Sequence, residues 1–256
     1  MTGGRWGSLL DVATERTALQ WERAATRAAK MPPETLSHME ARADRLAAAL
    51  EAFGRAVDLT EGDRRKTRPP VPLPPHTDWH GRPSLWTAPL EVPGRIAEAG
   101  ETKLTRATSL WHDCPWGEVI LRQVPNPADD RLPPYALRIE VFRFDGSYLS
   151  VAVRLPEAAL EGLGKRHVVR LDLPMRSDRP IGLYARLNVK VGPNVGQMLR
   201  ERPRDGGTGI EFDLAYAEIE EGRVEEAWID LMLEDPAQVS VELADVWIAR
   251  HLRADL

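Results

Sequence analysis

Cysteine is nearly absent from this chain of 256 residues, with Cys114 standing alone. A single thiol cannot close an intramolecular disulfide and offers no thiolate cluster for zinc, which excludes disulfide scaffolds and cysteine-based metal folds. Long apolar runs are missing too, and no stretch approaches the ~18 uncharged apolar residues of a membrane helix, so no membrane span is expected. The opening Met1-Thr2-Gly3-Gly4-Arg5-Trp6-Gly7-Ser8 reaches Asp11, Glu15 and Arg16 before the apolar core of a secretory leader can accumulate. A reducing, cytoplasmic setting is expected. Positive charge is short as well: 34 Lys and Arg face 39 Asp and Glu, a formal charge of −5. Nucleic-acid binders need a basic face that releases phosphate counterions, so no nucleic-acid partner is expected. The one compact basic cluster, Arg64, Arg65, Lys66 and Arg68, adjoins prolines and reads as a solvated linker.

Catalytic and cofactor motifs are also lacking. Nothing matches a Walker, Rossmann or metalloprotease pattern, and Gly206-Gly207-Thr208-Gly209 precedes a strand rather than the amide-bearing helix start that cradles phosphate. His112, Asp113 and Cys114 bring three reactive side chains together, but immediate neighbours do not converge as a triad does; a structural turn around a buried Cys is the expectation. Asp129 and Asp130 form a loop pair rather than an acid and a base at defined separation. Asp245 sits where apolar parity shifts, which predicts a bulge, and one acid falls far short of the ~6–8 oxygens calcium takes. No catalytic residue, metal or cofactor is expected.

What is present divides into three parts: a helical hairpin over 1–59, a proline-rich linker over 60–102 and a β-sandwich domain over 103–256. Leu36, Met39, Ala43, Leu46, Leu50, Phe53 and Val57 alternate three and four apart, the stripe of a helix that meets a partner helix. That partner is the preceding segment Ser8–Lys30 or, in a homo-oligomer through the N-terminal helices, a second chain. Arg68-Pro69-Pro70-Val71-Pro72-Leu73-Pro74-Pro75 imposes an extended backbone, and Trp79 and Trp86 are expected to pin the following segment onto the domain behind it.

From Lys103 onward β patterns dominate. Strands are predicted over 104–111, 117–124, 135–144, 147–155, 166–173, 181–190, 210–219, 224–233 and 239–250, with Asp145-Gly146 as the turn of a hairpin. The fold class is mainly β: an antiparallel β-sandwich or jelly roll with an N-terminal α-helical hairpin. Alternation also separates faces. Ile181, Leu183, Ala185, Leu187 and Val189 read as core, as do Ile210, Phe212 and Leu214 and the odd positions of 227–233. Tyr184, Arg186, Asn188, Lys190, Asp213, Trp228 and Asp230 are left on the other side. If their strands are neighbours, an aromatic plane stands beside amide, guanidinium and carboxylate groups, the chemistry that recognises sugars. The competing reading has Trp228 covered by the protein itself and the charges forming ordinary cross-strand pairs, Arg186 with Asp213 or Lys190 with Asp230.

Several segments carry a resemblance: Thr77-Asp78-Trp79, Leu110-Trp111-His112-Asp113-Cys114-Pro115, Val141 to Ser150, Tyr184 to Lys190 with Gly192-Pro193-Asn194, and Glu211 to Tyr216. Together they resemble an uncharacterised family of alphaproteobacterial proteins over most of the chain after Pro75. The resemblance marks a lineage and implies no active site. Expected, then, is a non-enzymatic interaction protein whose β-sandwich face takes a glycan or a protein partner. The alternatives are a structural spike or fibre component of a phage-like particle and an uncharacterised enzyme.

Overall fold

A computed structural model describes residues 4–116, 118–127, 129, 131–203, 207–217 and 224–253. Residues 206, 130, 117 and 218–219 of the sequence readings lie outside these. The chain divides into two compact units, 1–59 and 60–256. It is mainly β, with three antiparallel sheets, an N-terminal helix pair and no closed barrel among the described residues.

The first unit holds α1 (Gly4–Arg27) and most of α2 (Pro33–Thr67), which starts on Pro33, where the missing amide hydrogen costs little. None of its described side chains is buried. Trp21 of α1 and Met39 and Leu46 of α2 line one cavity, yet Leu50 and Phe53 remain 63% and 68% exposed. The stripe is therefore only partly occupied by α1; the side chain of Val57 lies outside the described residues.

The second unit contains β1 (Thr77–Gly81), α3 (Ser84–Thr87), β2 (Gly94–Ala97), β3 (Gly100–Lys103), β4 (Thr108–His112), β5 (Val119–Pro125), β6 (Tyr135–Val141) and β7 (Leu149–Arg154). It continues with α4 (Glu157–Leu160), β8 (His167–Asp172), β9 (Met175–Ser177), β10 (Leu183–Val191), β11 (Asn194–Glu201), β12 (Gly209–Asp213), β13 (Glu226–Leu233), β14 (Val239–Leu243) and β15 (Trp247–Leu252). The sheets run β1-β15-β8-β12, β11-β10-β13-β7-β4-β3 and β2-β5-β6-β14-β9. Their inward side chains, among them Leu187, Ile229, Val151, Leu137, Val241, Leu171 and Phe212, merge into a single core.

Two features depart from the sequence expectation. Asp145-Gly146 is not a hairpin turn, because β6 pairs with β5 and β14 whereas β7 pairs with β13 and β4, so the chain crosses between sheets there. Gly146 is required by close approach: a Cβ would stand 2.8 Å from the Cys114 nitrogen and 2.9 Å from the Phe144 ring. The stretch 60–102 is likewise more than a spacer, since α2 runs to Thr67 and β1, α3, β2 and most of β3 lie within it. Trp86 is fully buried, and its Nε1–H donates to the Leu243 carbonyl at 3.0 Å. The prolines at 69–75 break the helix but leave the chain free to rejoin the sheet through β1 and β15.

The predicted strand 239–250 also splits. β14 belongs to the five-stranded sheet and β15 to the four-stranded one, with Asp245 at the crossing rather than in a bulge. Asp245 is buried and receives Arg82 Nε at 2.8 Å and Nη2 at 2.8 Å, with the two side chains 0% and 1% exposed. Burial pushes the Asp245 carboxyl up to about 6, against the opposing pull of Arg82. Arg82 Nη1 also donates to the carbonyls of Arg65 and Lys66, capping the end of α2, and its guanidinium lies 4.5 Å over the Trp247 ring. Arg65 reaches the carbonyls of Leu132, Pro127 and Pro133, so it docks this helix end instead of remaining solvated.

Removing one partner of a buried pair strands the other charge at a cost of about 3–5 kcal/mol, while an apolar pair of similar volume avoids that cost. Arg82→Met and Asp245→Leu are each expected to lower urea-unfolding stability by about that much, and the double variant by less than either single one. A double variant as unstable as the sum of the two singles would show that the pair is not a unit.

Candidate functional site

The outer face of the six-stranded sheet can be laid out row by row, because directly opposed residues of antiparallel strands share a face. One row runs Tyr184, Met232, Ser150, Trp111, Glu101 across β10, β13, β7, β4 and β3. The next runs Arg186, Asp230, Ala152, Ser109, Lys103. A third joins Asn188, Trp228 and Arg154 and reaches Ala107, whose carbonyl accepts the Arg154 amide at 2.8 Å. Lys190 and Glu226 oppose each other in a fourth.

Six of the seven residues singled out from sequence therefore stand on one sheet face. Asp213 does not. It ends β12 in the four-stranded sheet, where it accepts the Ala215 amide at 3.0 Å and pairs with Arg253 at 3.0 Å. Alternation tells which way a side chain points but not which sheet its strand joins. The ion pairs follow the true neighbours: Arg186 with Asp230 at 2.8 Å and Lys190 with Glu225 at 3.4 Å.

Asp230 organises the middle of the face. Its Oδ2 accepts Arg186 Nη2 at 2.8 Å and Asn188 Nδ2 at 2.9 Å. Asn188 is wholly buried in the sheet surface, and its Oδ1 has no hydrogen-bond partner. Beside this cluster opens a groove of about 960 Å³. Trp111, Tyr148, Trp228 and Met232 form its apolar walls, and the small residues Ser109, Ser150 and Ala152 its floor. Arg186 and Asp230 line it, whereas Tyr184, Asn188 and Lys190 do not. Ser150 is 7% exposed, and its Oγ also lacks a partner. Trp111 is 39% exposed and Tyr148 42%, so both rings present area to solvent. The segment bearing Trp79 and Trp86 leaves Trp228 uncovered: Trp79 lies on β1 beside β15, and Trp86 reaches Leu243 of β14.

Trp111 and Trp228 stand two strands apart and four residues apart along the strands. At 4.8 Å per strand and 3.3 Å per residue their backbones are roughly 16 Å apart on a diagonal across the floor.

The His112-Asp113-Cys114 turn supports this groove from one end. Asp113 accepts the Ser147 hydroxyl at 2.6 Å, the Ser147 amide at 2.7 Å and the Tyr148 amide at 3.2 Å, which holds its carboxyl below the usual carboxylate range. Tyr148 is thereby fixed beside Trp111. Asp145 is held low by the Trp116 Nε1–H donated at 2.6 Å, with Cys114 Sγ 3.3 Å away on its other oxygen. His112 is buried, its ring edge-on to Phe144. These side chains lock two loops together. Asp245 has Arg82 on both its oxygens, and no cluster of three or more His, Cys, Asp or Glu among the described residues could hold a metal ion.

Trp111, Tyr148, Ser150, Arg154 and Met232 were not singled out from sequence. The alternation of Thr108, Leu110 and His112 already sends Trp111 outward, but nothing local places β4 and β7 beside β13.

None of the described helices is long and apolar enough to cross a membrane. Similar solved structures include the enzymatically active domain of tailspike protein 4 of bacteriophage CBA120, at 9% identity and a TM-score of 0.40, covering 58% of this chain and 20% of that one. An arabinose-bound α-L-arabinofuranosidase, MgGH51, is 12% identical over 65% of this chain and 27% of its own, with a TM-score of 0.36. TmCBM61, solved with β-1,4-galactotriose, is 18% identical over 58% of this chain and 88% of its own, with a TM-score of 0.25. The chain spans about a fifth of the length of the tailspike domain. Among curated proteins none matches. Over residues 1–256 the sequence matches a family of unknown function, DUF6478, and the chain belongs to that family.

Proposed function

We propose that the outer face of the six-stranded sheet binds an extended glycan and performs no chemistry on it. The observation that carries this reading is the pair of tryptophans, Trp111 and Trp228, at opposite ends of a floor of small residues in a groove of about 960 Å³. Pyranose rings present apolar faces that lie on indole rings, while their hydroxyls seek polar forks such as Arg186 and Asp230. A span of roughly 16 Å between the tryptophans suits three or four sugar residues.

The groove carboxylates favour binding over hydrolysis. Asp230 and Glu226 lie four residues apart on one strand, ~13 Å between backbones, and Glu101 stands three strands from the Asp230 column, ~14 Å between backbones, so none is the direct strand neighbour of another, the arrangement that suits a glycosidase pair, whose carboxyl groups stand ~5–9.5 Å apart. Each is also held by a cation: Asp230 by Arg186 at 2.8 Å, Glu226 by Arg154 at 3.3 Å and Glu101 by Lys103 at 3.8 Å. A protein partner docking on the same walls is the competing reading of this face. It would not need a spacing matched to sugar rings.

A glycan array followed by calorimetry tests the proposal. Trp111→Ala and Trp228→Ala are each expected to weaken binding about tenfold, 1.4 kcal/mol, with the circular dichroism of the chain unchanged. Absence of any glycan ligand, or a ligand indifferent to both substitutions, would refute it.

A second reading, assembly into a larger structure through α2, is favoured by the exposure of Leu50 and Phe53 in a stripe of 3.5-residue period. That period makes a seam for another helix of the same kind. Light scattering at micromolar concentration is expected to give an oligomer that Leu50→Glu with Phe53→Glu reduces to a monomer. A monomeric mass for the unaltered chain would end this reading.

A further inference from the structure

We propose that the glycan is anionic, with a carboxylate or sulfate taken by Arg106. This rests on the glycan reading above and names the class of ligand. The groove is lined by three carboxylates, Glu101, Glu226 and Asp230, and by four cations, Lys103, Arg106, Arg154 and Arg186, which leaves one positive charge in excess. The chain as a whole carries −5, so this excess is local and opposed to the general trend. Three of the cations are matched: Arg186 to Asp230 at 2.8 Å, Arg154 to Glu226 at 3.3 Å and Lys103 to Glu101 at 3.8 Å. Among the described residues Arg106 has no acidic partner, although it is exposed and lines the groove.

Its position gives that charge a use. Arg106 directly precedes Ala107, whose carbonyl accepts the Arg154 amide, and Arg154 is directly opposite Trp228. The Arg106 backbone therefore stands one residue beyond the Trp228 row and two strands from Trp228, roughly 10 Å between backbones, about the width of one sugar carrying an acidic substituent. A planar fork of N–H donors matches the two oxygens of a carboxylate or sulfate. On the floor between, Ser150 lines the same groove and is 7% exposed.

The test compares four ligands on the full chain by calorimetry: a four-residue oligogalacturonate, its full methyl ester, a sulfated galactotetraose and neutral galactotetraose. Acid and ester share the same rings and linkages, and the ester caps each carboxylate with a methyl group and so removes its charge. Expected is binding of the acid or of the sulfate about two- to fivefold tighter than its neutral counterpart, weakening as salt is raised. Arg106→Gln should close that gap, while Trp228→Ala should weaken charged and neutral ligands alike. Which anion gains identifies the substituent. Equal affinity for charged and neutral forms, or a gap that persists in Arg106→Gln, would overturn the anionic inference and leave the glycan reading standing. Failure of all four to bind would overturn the inference and count against the glycan reading as well.

Discussion

In the six-stranded sheet the middle strands give one face to the core, and that face is filled without interruption. Leu183, Ala185, Leu187 and Val189 of β10, Ala227, Ile229 and Leu231 of β13, and Val151 and Val153 of β7 are all buried. At roughly 25 cal/mol per Å² of apolar surface removed from water, this inner face supplies the driving force, and a slip of one residue in any strand would exchange it for the polar set. Everything on the outer face follows from that constraint. Side chains there are released from packing the core, so Trp111 and Trp228 can stand at a groove, and Asp230 can gather Arg186 and Asn188 without disturbing the interior.

The other demand on the fold arises where the chain changes sheets. Between β14 and β15 it needs a fixed crossing, and it places a carboxylate there with no access to water. Such a charge is costly to bury, and Arg82 answers it while also capping α2, receiving the ring of Trp247 and joining β1 to the crossing. Together with the β1–β15 ladder and the buried Trp86, this guanidinium makes the region after the prolines part of the sandwich. The loop lock around Asp113 and Asp145 does comparable work at the β6 to β7 crossing, and through the Tyr148 amide it sets one wall of the groove.

Period-two patterning made the fold class, most of the strands after residue 103 and the facing of Tyr184, Arg186, Asn188, Lys190, Trp228 and Asp230 legible in the sequence. It could not say which strands are neighbours. Asp213 shows this clearly: its parity is right, but β12 pairs with β8 and carries it to another sheet. Asp145-Gly146 fails for the same reason, since a turn signature reports local backbone tolerance and not whether the flanking strands pair. The strands within 60–102 were hidden because prolines beside them suggested a spacer, although β1 gains its place only from β15, about 170 residues later. Trp111 was visible as an outward residue yet gained meaning only once β7 lay between it and Trp228.

The outer groove as the binding surface is tested most directly by chemical-shift mapping of the isotopically labelled full chain during titration with a four-residue glycan from the array. Expected are progressive shifts of the Ser109, Ser150, Ala152 and Asp230 amides and of the Trp111 and Trp228 indole N–H signals, with β1, β8 and β15 unmoved. Shifts confined to those last strands, or to the loops between them, would contradict the assignment of this face.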